Sequence, residues 1–127
     1  MRRPHLVPLP NQAVKILRKM RELAPSCGYL FPANTKSGVI SENTLLFALY
    51  RMGYRRRATV HGFRSLASTA LNEAQFNRDW IEMQLAHVED NEVRSAYNSA
   101  QWLPQRREMM LWWSDFLGEA CPERPAV

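Results

Sequence analysis

A chain of 127 residues with 46% apolar and 23% charged side chains has the size and composition of one folded domain, which excludes a disordered or fibrous polypeptide. Its longest unbroken apolar run, Leu45 to Tyr50, is far too short to cross a bilayer, and with Arg2, Arg3 and early prolines at the start no secretory leader is expected. The net charge is +5, and fourteen of the seventeen basic residues are arginine, which points toward a polyanionic partner because the planar guanidinium grips phosphate oxygens in pairs.

In chain order, residues 4–9 read as a short extended segment hemmed in by prolines, at most a single edge strand. From Asn11, a suitable N-cap, Ala13, Ile16, Leu17, Met20 and Leu23 recur at helical spacing until Pro25. Pro25, Gly28, Pro32 and Gly38 mark a loop over 25–40, with Tyr29, Leu30 and Phe31 able to insert beneath it. Ser41 is the expected N-cap of a second, largely buried helix through the 45–50 run, ending at Gly53. After the basic loop Arg55-Arg56-Arg57, a third helix is predicted from about Gly62 to Glu73 with Phe63, Leu66, Ala67, Ala70 and Leu71 facing inward. Further helices are predicted over Arg78–His87, Asn91–Ala100 and Leu103–Leu117, the last carrying an apolar stripe of Leu103, Met109, Met110, Trp113, Phe116 and Leu117 and stopping at Gly118. The expected fold class is therefore mainly α, with at most a short residual β element at the N-terminus.

Charge is unevenly divided. Residues 1–64 hold twelve basic and two acidic side chains, whereas residues 65–127 hold five and ten. Cys27 and Cys121 have no metal-ligand spacing and make a poor disulfide framework, so the expected compartment is a reducing cytosol. Three elements carry possible chemistry. His61 and Arg64, three apart at a helix start, share a face on which imidazole and guanidinium can converge, although a capping histidine beside a surface arginine is the plain structural alternative. His87 closes a helix, where histidine commonly serves the helix dipole. Tyr97 lies on the stripe Val93, Ala96, Tyr97, Ala100, which suits a core residue equally well.

In combination these elements are far more specific. His61-Gly62-Phe63-Arg64, then Leu85-Ala86-His87, then Tyr97 ten residues later resembles the C-terminal catalytic half of tyrosine recombinases. Phe31-Pro32, Ser41-Glu42-Asn43-Thr44-Leu45, Met52-Gly53-Tyr54, Gln84, Ala96-Tyr97-Asn98, Arg106-Arg107-Glu108-Met109-Met110 and Trp112-Trp113 narrow the resemblance to prophage and satellite-phage integrases. The opening Arg3-Pro4-His5-Leu6-Val7-Pro8-Leu9 is similar to the strand and turn that enter a helix of that family, so the likeness runs from about residue 3 to residue 117.

The resemblance implies phosphoryl transfer on DNA. Tyr97 would be the nucleophile, Arg64 would hold a non-bridging phosphate oxygen, His61 would accept the tyrosine proton or hydrogen-bond the phosphate, and His87 would donate to the phosphate. A phenol near pKa 10 needs such a base and nearby cations, and the chain has no carboxylate cluster of the two-metal kind, so neither metal nor cofactor is expected. Arg55, Arg56, Arg57, Ser41, Asn43 and Thr44 are the candidate DNA contacts. Double-stranded attachment-site DNA and further integrase protomers, the latter through the 103–118 helix, are the expected partners, with no membrane and a bacterial, nucleoid-associated cytoplasmic location.

The family also uses an earlier arginine and a β-hairpin lysine, and none of Lys15, Lys19 or Lys36 matches that lysine. The expectation is a fragment, with residues 1–118 as the C-terminal part of the catalytic domain and 119–127 as a tail, incomplete as a catalyst alone. Two other readings stand beside it: a non-catalytic DNA-binding module, and a helical protein-interaction remnant built on Trp112, Trp113 and Phe116.

Overall fold

The computed structural model describes residues 5–23, 28–86 and 101–120. Among these it contains five helices and no strand: α1 Asn11–Leu23, α2 Thr44–Arg51, α3 Val60–Glu73, α4 Arg78–Gln84 and α5 Leu103–Ala120. The mainly helical expectation holds. Residues 5–10 form no strand, and the one isolated β-bridge pairs Pro32 with Val39. The predicted helix over Asn91–Ala100 lies outside the described residues, as do His87 and Tyr97.

The chain divides into two compact units, one of residues 1–11 and 67–127 and one of residues 12–66. In the first, α4 packs on α5. Leu71, Ile81 and Met109 are buried at its centre, with Phe76, Trp80, Leu85, Trp112 and Trp113 packed around them. The aromatic rings meet in the offset and edge-to-face arrangements that their quadrupoles favour: Phe76 lies edge-on to Trp112 at 5.4 Å, and Phe116 stacks with both Trp112 at 5.2 Å and Trp113 at 5.6 Å. Asn77 caps α4 by accepting from the Asp79 N–H at 2.8 Å. The end of α5 differs from expectation, since the helix continues through Gly118 to Ala120. A single glycine costs a helix only about 1 kcal/mol, which the preceding aromatic packing offsets.

In the unit of residues 12–66, α2 differs from the sequence reading in two ways. Its N-cap position is Asn43, which makes no side-chain cap bond. Ser41 contributes its carbonyl to the Thr44 N–H and shares a hydroxyl–hydroxyl bond with Thr44, both at 3.0 Å. The helix is also not buried. Leu46, Leu49 and Tyr50, which share one face, are partly covered, while Leu45 and Phe47 on the other side are about half exposed. A run that is apolar all round needs cover on every side, and here it has cover on one. The helix ends as predicted: Gly53 adopts φ 86, and the bonds Gly53 N–H to Tyr50 O and Tyr54 N–H to Leu49 O complete a Schellman closure.

Candidate active site

The site is built on the first turns of α3. Thr59 is the residue before the helix, and its Oγ1 accepts from the Gly62 N–H at 2.9 Å, satisfying one of the N–H groups that a helix start leaves open. The helix therefore begins two residues earlier than its predicted start at Gly62, because Thr59 supplies the cap. The capping alternative for His61 is set aside by the same bond, since the cap belongs to Thr59. His61 is exposed and Arg64 half-buried. With both inside the helix and three apart, they occupy one face at its positive end.

The basic loop shapes a different face. Arg56 and Arg57 join Ala58, Thr59, Gly62, Phe63 and Leu66 in lining an open groove of about 380 Å³. At roughly 100° per residue, the 59/62/63/66 face of α3 is turned nearly opposite the line through His61 and Arg64. The structure thus brings Arg56 and Arg57 together with Phe63 and Leu66, and places His61 and Arg64 on the other side of the helix. Phe63 and Leu66, expected to face inward, are 53% and 51% exposed because they wall this groove; Ala70 and Leu71, one to two turns on, enter the core as predicted.

Each flanking arginine of the triplet lies over a tyrosine ring. The Arg55 guanidinium stands 5.5 Å from the centre of Tyr50, and that of Arg57 stands 5.7 Å from Tyr54. Arg56 between them has φ 63, a left-handed conformation that costs a non-glycine residue about 1 kcal/mol. Ser41, Asn43 and Thr44 gather at the start of α2, with Ser41 and Asn43 exposed. His87 and Tyr97 lie outside the described residues. The residue before His87, Ala86, takes φ 50 at the end of α4.

Sequence reasoning gave no role to Arg106. It is 1% exposed, and its guanidinium donates to Gln84 Oε1 at 3.0 Å, to the Gln101 carbonyl at 3.1 Å and to the Leu6 carbonyl at 2.7 Å. Burial pushes its pKa below the ordinary arginine value. The signal was legible: Arg106 falls midway between Leu103 and Met109 on the apolar stripe of α5, where a charge is out of place unless it is fully partnered.

Residues 1–102 match the model of the phage integrase family. The chain belongs to the phage integrase family. It is 46% identical over 121 residues to the prophage integrase IntA of Escherichia coli (strain K12), covering 94% of this chain and 29% of that protein. It is 42% identical over 122 residues to the integrase of Enterobacteria phage P4 (92% and 28%) and 40% identical over 120 residues to the integrase of Shigella phage Sf6 (93% and 31%). The chain thus spans under a third of the length of these integrases. No solved structure matches. The integrase family match includes α1 to α4 and the positions of His87 and Tyr97, and the likeness to IntA extends it into α5. Among the described residues, no helix is long and apolar enough to cross a membrane, and no three His, Cys, Asp or Glu side chains gather to hold a metal.

Proposed function

We propose that this chain is the C-terminal catalytic part of a site-specific DNA recombinase, with residues 1–118 as its working portion. In this reading the Tyr97 oxygen attacks the scissile phosphorus, and the bond from phosphorus to the 5′-oxygen breaks. The product is a 3′-phosphotyrosyl link and a free 5′-hydroxyl. His61 takes the phenolic proton or hydrogen-bonds the phosphate. Arg64 holds a non-bridging oxygen where charge builds, and His87 donates to the same group; donors aimed at developing charge are commonly the largest catalytic contribution. Within the described residues, the observation that carries the reading is His61 and Arg64 on one face at the capped start of α3, in a chain of this family.

Duplex attachment-site DNA is the proposed substrate, bound with help from Arg55, Arg56, Arg57, Ser41, Asn43 and Thr44. A second protomer docks through α5, and the reaction takes place on bacterial DNA in the cytoplasm. The leaving 5′-oxygen needs an acid that none of Lys15, Lys19 and Lys36 matches, so the 127-residue chain alone is proposed to be an incomplete catalyst.

The test is covalent trapping on a nicked attachment-site substrate. A recombinase in which this chain replaces the matching stretch of the phage P4 integrase is expected to trap DNA, and the isolated chain to do so far more weakly. Loss of one such donor costs about 3 kcal/mol. Tyr97→Phe should abolish trapping, and trapping that persists in that variant rejects the assignment. The position of the arginine groove, turned away from His61 and Arg64, favours a second reading in which this region grips the DNA backbone without chemistry. A chimera that binds DNA and never traps it would support that alternative.

A further inference from the structure

Arg106 does not belong to the chemistry proposed above, and its three bonds reach three separate stretches of chain. Nε donates to the side chain of Gln84, the last residue of α4; Nη1 donates to the carbonyl of Gln101, just before α5; Nη2 donates to the carbonyl of Leu6. Gln84 lies three residues before His87, and Gln101 lies four residues after Tyr97. We infer that Arg106 is a positioning residue, a single buried fork that ties together the two ends of the segment bearing His87 and Tyr97 and anchors both to the N-terminal chain. Its functional meaning rests on the reading of Tyr97 as nucleophile.

The choice of residue supports a tether over simple packing. A buried charge held by neutral oxygens gains little stability over an apolar side chain of similar volume, and Met109, one turn further along the same stripe, is such a buried apolar side chain. What an apolar residue cannot do is bond three acceptors in fixed directions. The planar guanidinium does so with three different nitrogens, whereas a lysine ammonium offers all its donors from one atom. The arrangement therefore gives up packing stability and gains a fixed relation among Leu6, Gln84 and Gln101. Catalysis is sensitive to displacements of about 1 Å in a reacting group, so holding both ends of the segment has a direct consequence for where Tyr97 can sit.

The test is 19F NMR on the 127-residue chain labelled with 3-fluorotyrosine, in which the four tyrosines give four lines and Tyr97→Phe identifies one of them. Arg106→Met should shift or broaden the Tyr97 line by more than its width and leave those of Tyr29, Tyr50 and Tyr54 in place. Gln84→Leu should act in the same sense but less strongly. Gln84→Glu, which keeps an acceptor for Nε, should leave the Tyr97 line unmoved. An unmoved Tyr97 line in Arg106→Met overturns the proposal, and so does a common displacement of all four lines, which marks a general packing role. If Arg106→Met does not fold, the Gln84 pair decides, and identical Tyr97 lines in Gln84→Leu and Gln84→Glu overturn it. None of these readouts involves DNA cleavage. A Tyr97→Phe recombinase that still cleaved would therefore reject the nucleophile without touching the clamp.

Discussion

Gly53 and Gln75 occupy the same left-handed position after α2 and α3, with φ 86 and 62. At both ends the same pair of backbone bonds closes the helix: Gly53 to Tyr50 and Tyr54 to Leu49 in one, Gln75 to Asn72 and Phe76 to Leu71 in the other. Only one of the two positions holds the residue suited to it. Gly53→Ala should destabilise the chain by about 1 kcal/mol, and Gln75→Gly should stabilise it by about 0.5 kcal/mol after the entropic cost of glycine. Urea unfolding of the two variants checks both signs.

The cap of α3 makes a coupled prediction. A Cβ on Gly62 would lie 3.2 Å from the Thr59 Oγ1 that caps the helix, so the methyl and the cap bond crowd each other. Thr59→Ala alone should cost about 1 kcal/mol. Gly62→Ala has about 1 kcal/mol of helix propensity to gain, and it should realise that gain in full only when Thr59 is already alanine. A double-mutant cycle on unfolding free energies should therefore show coupling of about 0.5 kcal/mol or more; strict additivity would mean that the cap gives way freely.

The arginine groove predicts a salt dependence. If Arg56 and Arg57 meet backbone phosphates, replacing either by alanine should lower the slope of log affinity against log salt by about 0.9. It should weaken binding to all DNA sequences alike, because phosphate contacts carry no base information. Fluorescence anisotropy at several salt concentrations measures this, and an unchanged slope would place the DNA elsewhere on the chain.

Helices with a one-sided pattern and a clear stop were legible in the sequence. Gly53 announced the end of α2, and α4 begins at Arg78 as expected. Burial was less legible. The 45–50 run and the pair Phe63 and Leu66 read as core by composition, yet the cover they need depends on chain that is distant in sequence. The start of α3 lies two residues before its expected position because the cap is Thr59, which the pattern of apolar residues from Phe63 onward does not mark. Of the site, the His61 and Arg64 pairing on one face of α3 could be read from spacing. The turn of the arginine groove to the opposite face could not, since it depends on how the 52–59 loop enters the helix. Arg106 was visible only as a charge on an apolar stripe. Its three partners span residues 6 to 101, and no local pattern connects them.

The central claim is that Tyr97 and Arg64 act on one phosphate, and the most direct measurement is the position of Tyr97 Oη relative to the Arg64 guanidinium in a crystal structure of the chain with orthovanadate and a DNA half-site. Both groups, with His61 and His87, should lie within about 3.5 Å of a single vanadate, the reach of a reacting or hydrogen-bonding atom. A Tyr97 ring packed into the core beside Leu71 and Ile81, with its hydroxyl turned away from Arg64, would contradict it.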